Sequence, residues 1–477
     1  MDCGTPLSRW VEEELKGSEL GHEARNKRLL RVGGAIATSP PGSLPQQMGG
    51  WAELKGAYRL LTHPKVSAEA ILSGHQAATV QRSQEHAQVL AIQDTTGQSF
   101  AHRVRDDGPL NQLPGVHGQW VHTVLALSAS DHRVLGVLHQ QVWARPARGR
   151  SRKKETASAR KKRLRESLRW GEAVCAVSER FSTLSQERRP QIIHVMDREA
   201  DIFEVLETLH AVGDSYVIRA TRDRLLAAEP AGERGPQPSY LFGSVEHACV
   251  RGTRQQQVPA RGGQPGRVAQ LQVRSCTVSL MPPINRGRQG DALKLNVVLA
   301  RETTPAPGVT PLYWCLLTCL PIDTWQQVEQ VLTAYEARWC IEEFHMGLKT
   351  GCQVEQRQLQ TCHALTNFLA LATVVACGML ALRDAAREHP SPPAALLLSQ
   401  VQLDLLAVLR PKLQLPEAPT AYEALRAVAS LGGFIGRASD GEPGWRTLWR
   451  GWLKLLQAEV GYRLAQQLSP SAPFNSG

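Results

Sequence analysis

No CxxC pair occurs among the ten cysteines of this 477-residue chain, and their spacing is irregular. That excludes a disulfide framework and a structural zinc site as organising features, and reduced thiols in a cytosol are expected. Cys315 and Cys319, the nearest pair, lie in an apolar strand-like run and read as buried thiols. No uninterrupted apolar run reaches the length that crosses a bilayer. The opening MDCGTPLSRWVEEELKG lacks the charged-then-apolar pattern of a secretory signal. The expectation is a cytoplasmic protein with no membrane partner. Repeats of solenoid period are also absent. What remains is an ordinary apolar fraction of 42% and a length that suits two or three domains.

Net charge is scarce too, outside one place. Residues 145–165 hold eleven Arg or Lys against one acid, Glu155, and so carry nearly all of the chain's formal +11. A concentrated basic stretch points to a polyanion partner. It reads equally as a solvated loop, and the two readings are compatible.

The chain changes texture along its length. Residues 1–75 read as short helices, with Arg25, Lys27, Arg28 and Arg31 close together on one of them. Residues 76–360 begin with apolar strand-like runs, AQVLAIQDTT, WVHTVLALSA and RVLGVLHQQVWAR. Further strands and helices then give the order β-β-β-α-β-α-β. Within this region, about 222–292 is rich in Gly, Arg, Gln and Pro and reads as an inserted β-rich subdomain. Residues 361–477 are helical in pattern. Trp445, Trp449 and Trp452 there share one helix face, as packing or as a partner interface.

The most informative stretch is 324–351, which reads as one long helix ending at Gly351. Ala337, Ile341, Phe344 and Leu348 form its core-facing stripe. Tyr335, Arg338, Glu342 and Lys349 fall within roughly 60° of one another beside that stripe. A solvated face with intrahelical ion pairs and a site at the edge of a cleft are equally good readings of this spacing.

Two other acids bear on the choice. Asp94 and Asp197 each read as closing an apolar strand, which places a carboxylate on the rim of a sheet. Singly, each is a strand-end turn or a helix cap. Together with Glu342 they form three converging carboxylates, whose repulsion calls for positive charge. Magnesium or manganese suits an all-oxygen donor set, and a pair of such ions suits phosphoryl transfer. Arg338 and Lys349 suit phosphate contacts.

These motifs, in this order, resemble the bacterial DDE transposases of the insertion-sequence family that includes the Tn-five transposase. The YREK signature of that family, Tyr-x2-Arg-x3-Glu-x6-Lys, is present as Tyr335, Arg338, Glu342 and Lys349. DTT from Asp94, DREADI from Asp197, WVH from Trp120 and DGEPGWRTLWRGW near the C-terminus match as well. The resemblance implies an α/β (α+β) fold with a ribonuclease-H-like core. It implies a helical end-binding domain before that core and a helical dimerisation domain after it. The implied activity is cut-and-paste transposition: hydrolysis, a hairpin intermediate and strand transfer. Two Mg2+ (or Mn2+) ions would sit on Asp94, Asp197 and Glu342. The implied partners are double-stranded DNA, both inverted-repeat ends and target, and a second copy of the chain. It also implies that Trp314 stacks on an extruded base and that Arg219 lies near the active site. Arg28 and Arg59 would contact end DNA. Glu343 and Asp201 stand off the functional positions. The alternatives are a ribonuclease-H-like nuclease that does not join strands, and a DNA-binding regulator without catalysis.

Overall fold

A computed structural model describes residues 5–468 apart from 101, 103, 111–115, 146–165, 228–238, 259–265, 284–290, 389–390, 414 and 438–439. Almost all of the basic segment singled out above therefore lies outside the described residues.

The N-terminal helices are α1 (Pro6–Leu15), α2 (Glu23–Thr38), α3 (Leu44–Gln47), α4 (Trp51–Leu61) and α5 (Ala68–Ser83). Their starts are chemically marked. Thr5 accepts from the Ser8 N–H, Pro6 occupies the first turn of α1, and Ser67 accepts from the Ala70 N–H.

One mixed sheet follows. Strands β1 (Gln88–Ser99), β3 (His117–Ser128) and β4 (Val134–Trp143) form an antiparallel meander, with short β2 (Gly108–Pro109) also on β3. Helix α6 (Arg169–Phe181) leads to β5 (Gln191–Met196), which pairs parallel to β1. Helix α7 (Phe203–Val212) leads to β6 (Ser215–Arg219), parallel to β5. Beyond a short α8 (Leu241–Glu246), strands β7 (Val250–Val258), β8 (Arg267–Leu280), β9 (Leu293–Glu302) and β10 (Tyr313–Thr318) complete the sheet. The order is β2-β3-β1-β5-β6-β10-β9-β8-β7. The stretch read as an inserted β-rich subdomain supplies β7 and β8, which extend the main sheet antiparallel through β9.

Helices α9 (Trp325–Ala337) and α10 (Cys340–Met346) precede the long α11 (Cys362–Glu388). Helices α12 (Gln400–Leu413), α13 (Ala421–Leu431) and α14 (Trp445–Leu468) close the chain. Cys362–Arg387 is by length and composition long and apolar enough to span a membrane, with mean hydropathy 2.0 in its most apolar window. Its apolar window is 83% buried inside the protein. Leu7, Val11, Leu29 and Leu72 share a core with its Leu369, Leu371 and Val375, so the apolar length is spent on internal packing.

A buried ion cluster fastens the N-terminal helices to the sheet. Glu14 on α1 meets His75 Nδ1 at 2.5 Å and Arg82 Nη1 at 2.5 Å, both on α5. The Val137 N–H on β4 donates to His75 Nε2, which places the imidazole proton on Nδ1, facing Glu14. Arg82 Nε donates to the Leu135 carbonyl. Burial alone would raise the Glu14 pKa, but hydrogen bonds from His75 and Arg82 outweigh it and hold the carboxyl below its usual range. A depressed carboxyl pKa contributes stability that is present above the unfolded value and lost as pH falls through the folded one. Glu14→Gln is therefore expected to cost about 1.5–3 kcal/mol at neutral pH. In urea unfolding series it should flatten the loss of stability on acidification.

Candidate active site

Asp94 does not end its strand. β1 runs on to Ser99 along β3, with Asp94 opposite Thr123. The parallel ladder between β1 and β5, however, stops at Ile92 opposite Val195. Continuing that register by two residues sets Asp94 against Asp197, the residue after β5 ends. Both acids therefore stand just past the same ladder, where β1 and β5 no longer pair. Asp197 caps a short 3-10 turn and accepts the Glu199 N–H at 2.8 Å.

Glu342 arrives from α10, and here the expected single helix is corrected. A capping box at Thr324 and Gln327 starts α9. The helix is interrupted at Arg338 and Trp339, resumes as α10, and ends in a π-helical turn at Gly347–Gly351. That turn sends the Cys352 N–H to the Gly347 carbonyl. The C-terminal tryptophans lie against it. Trp445 and Trp449 stack at 6.0 Å, and a Cβ on Gly347 or Gly351 would stand 3.3 or 3.1 Å from them. Trp449 Nε1 donates to the Thr350 carbonyl that the widened turn leaves available. Ala337, Ile341, Phe344 and Leu348 are all buried, as the apolar stripe requires.

Asp94 feels both of the other acids. The Asp94 carboxyl is pushed up to about 7, first by burial and then by the charges of Asp197 and Glu342, with Arg338 opposing. Two of the acids also have a basic neighbour. Arg338 lies 3.6 Å from Glu342, and His345 Nδ1 lies 3.6 Å from Asp94. Among the described residues, no three His, Cys, Asp or Glu side chains are gathered tightly enough to ligate a metal together. The donor chemistry nevertheless fits a hard divalent cation. The acids supply oxygen alone, and burial, with the charges of Asp197 and Glu342, already opposes ionisation of Asp94.

The remaining predicted residues divide into two groups. Tyr335, buried, meets the half-buried Trp314 of β10 edge-on at 5.4 Å. Lys349 Nζ donates to the Gly97 carbonyl at 2.6 Å and lies 4.0 Å from Glu355. Arg219, at the end of β6, donates to the Tyr313 carbonyl next to Trp314. Arg28 and Arg59 are exposed on α2 and α4, away from the acids. The two acids set aside have structural partners. Glu343 pairs with the buried Arg383 at 2.6 Å. Asp201, fully buried, accepts from the Thr221 and Arg222 N–H groups and pairs with Arg224 at 2.5 Å.

Two features escaped the sequence reading. His345 is buried beside Asp94, and its Nε2 has no hydrogen-bond partner. Its pKa is driven down to about 3 by burial, then by Lys349 and Arg338. Its position three residues after Glu342 was the available signal. Behind β1 runs a buried chain, Thr95–His122–Gln93–His194–Asp214, linked at 2.8, 3.2, 2.9 and 3.3 Å. It ties β3, β1 and β5 together just before the acids emerge. Nothing local in the sequence marks those partners.

Comparison with known proteins bears on both ends of the chain. Residues 8–66 match the family described as Transposase DNA-binding. Residues 380–471 match the Transposase Tn5 dimerisation domain. The chain is thus similar to Tn5-type transposases at both ends. Neither span includes Asp94, Asp197 or Glu342. Among solved structures, the chain is similar to a piggyBac transposase synaptic complex with hairpin DNA. The identity is 9% and the TM-score 0.35, over 98% of this chain and 80% of that one. A likeness that slight bears on neither site nor mechanism.

Proposed function

We propose that this Tn5-like transposase cuts and joins DNA at one acid site, Asp94, Asp197 and Glu342, set on a ribonuclease-H-like core. The observation that carries the proposal is the placement of Asp94 and Asp197 just past the β1–β5 ladder, with Asp94 under the charges of both Asp197 and Glu342. The strand order of β4, β3, β1, β5 and β6 supports the core assignment, with three antiparallel strands extended by two parallel ones.

Asp94, Asp197 and Glu342 would hold Mg2+ or Mn2+, two ions per site. Such ions supply activation of the attacking oxygen and stabilisation of the leaving one. The rest of the chemistry belongs to the side chains. Arg338, released from Glu342, offers a guanidinium fork to a DNA phosphate, and Lys349 offers a point charge. Together with Tyr335 and Glu342 they make up the YREK set, which would gather at the DNA end. Trp314 offers an indole face to a base extruded during hairpin formation. Arg219 braces the strand that carries it. The reaction is a series of in-line displacements at phosphorus: water frees a 3′-hydroxyl, that hydroxyl attacks the opposite strand to close a hairpin, a second water opens the hairpin and frees the 3′-hydroxyl again, and that hydroxyl attacks target DNA. A homodimer built through the C-terminal helices would bring two ends together.

The test is a strand-transfer assay on DNA carrying the element's own termini, with Mg2+ and a target plasmid. Nicked ends, hairpins and joined products are expected. Nicks without joined products would indicate a nuclease, and DNA binding with neither would indicate a regulator. Either result would overturn the proposal.

A further inference from the structure

The buried chain behind β1 grips the strand on both sides of Asp94. Gln93 and Thr95 both belong to it, and on a strand they share the face opposite to Asp94. Gln93, His122 and His194 have no exposed surface. Their hydrogen bonds run in one direction. The Asp214 carboxylate only accepts, so His194 Nε2 donates to it at 3.3 Å. His194 Nδ1 accepts from Gln93 Nε2, and Gln93 Oε1 accepts from His122 Nε2. His122 Nδ1 then accepts from the Thr95 hydroxyl. Burial, followed by the charges of His139, His345 and Arg169, drives the His122 pKa down to about 3, as suits a ring that bears a single proton. Arg189 holds the far end, donating to Asp214 at 3.0 Å. The amide of Gln93 accepts from one imidazole while donating to the next. A carboxylate there would only accept, and an apolar side chain would do neither.

We propose that Gln93 is a positioning residue of the acid site. The backbone ladder between β1 and β5 stops at Ile92 and Val195, short of both acids. Gln93 stands one residue past that last rung, and its bond to His194 continues the tie between the two strands with side chains. Through His122, Gln93 and Thr95 tie the same stretch to β3. β1 therefore cannot twist at Asp94 without breaking one of these bonds, and the Asp94 carboxylate keeps its direction relative to Asp197. Such precision matters at a reacting centre, where a displacement of about 1 Å costs about a hundred-fold in rate. Gln93 faces away from the acids and acts through Asp94. The inference rests on the acid-site reading and adds a residue to it.

The test compares Mn2+ binding, followed by electron paramagnetic resonance, with single-turnover cleavage of end DNA, both on the full chain at a temperature where it is folded. Gln93→Leu is expected to weaken Mn2+ binding about ten-fold and to slow cleavage at saturating protein about a hundred-fold. The half-saturating concentration for end DNA should not change. His122→Leu should behave alike. Each single variant should also lose stability in chemical denaturation, because a buried partner is left unpaired. The double variant Gln93→Leu/His122→Leu removes both members of one bond. It should lose less stability than the two singles summed, while Mn2+ binding and cleavage stay as low as in either. It also carries the test if a single variant does not fold. Wild-type Mn2+ binding and cleavage in folded Gln93→Leu would overturn the inference and leave the acid site standing. So would recovery of both, together with stability, in the double variant. If the wild-type chain neither binds Mn2+ nor cleaves, the acid-site reading fails and takes the inference with it.

Discussion

Alanine at Asp94, Asp197 or Glu342 is expected to reduce DNA cleavage by at least about 10^3-fold, and any two substitutions together should cost little more than one. Non-additivity is the informative part. If the three acids act as one charge-coupled unit, removing the first disables the unit. End-DNA binding should survive each substitution, because the exposed Arg28 and Arg59 lie on other elements. Glu343 is the internal control. It is adjacent to Glu342 in sequence but paired with Arg383, so Glu343→Gln should retain cleavage while lowering the melting temperature. Equal losses at Glu342 and Glu343 would mean that α10 had been disturbed as a helix and not at its site.

The second large effect concerns stability. Arg224→Ala is expected to destabilise the protein by about 3–5 kcal/mol, read from chemical denaturation. Asp201 is fully buried and its carboxylate is met by Arg224 and two backbone N–H groups. Removing the guanidinium leaves a desolvated charge only partly compensated. The same pairing explains why Asp201, four residues after Asp197, takes no part in the acid cluster. It holds the segment after β6 against the turn that presents Asp197.

Much of this arrangement was legible in the sequence because it rests on local chemistry. Asp94 and Asp197 announce themselves as acids following apolar runs. Helical periodicity separates Glu342 from Glu343 and marks Ile341, Phe344 and Leu348 as core. What could not be read depends on partners distant in sequence. The interruption at Arg338–Trp339 involves neither Gly nor Pro, and the π turn at Gly347–Gly351 lies under tryptophans about a hundred residues away. Strand character in 250–280 was visible, but its pairing with β9 was not. Apolar periodicity in α11 says that the helix is buried but does not say that α1, α2 and α5 bury it. The Gln93 chain likewise joins three strands through contacts about thirty and a hundred residues apart.

The present geometry also gives the acid site a definite starting state. Glu342 is engaged by Arg338 and Lys349 by the Gly97 carbonyl, so the residues proposed to meet phosphates are held by the protein itself. Incoming DNA would compete for both cations.

The central claim is that Asp94, Asp197 and Glu342 form one divalent-metal centre. The most direct measurement is a Mn2+ titration of the purified chain followed by electron paramagnetic resonance, with and without end DNA. Saturable binding is predicted in the wild type, and each of Asp94→Ala, Asp197→Ala and Glu342→Ala should weaken or abolish it. Undiminished Mn2+ binding in all three variants would contradict the claim.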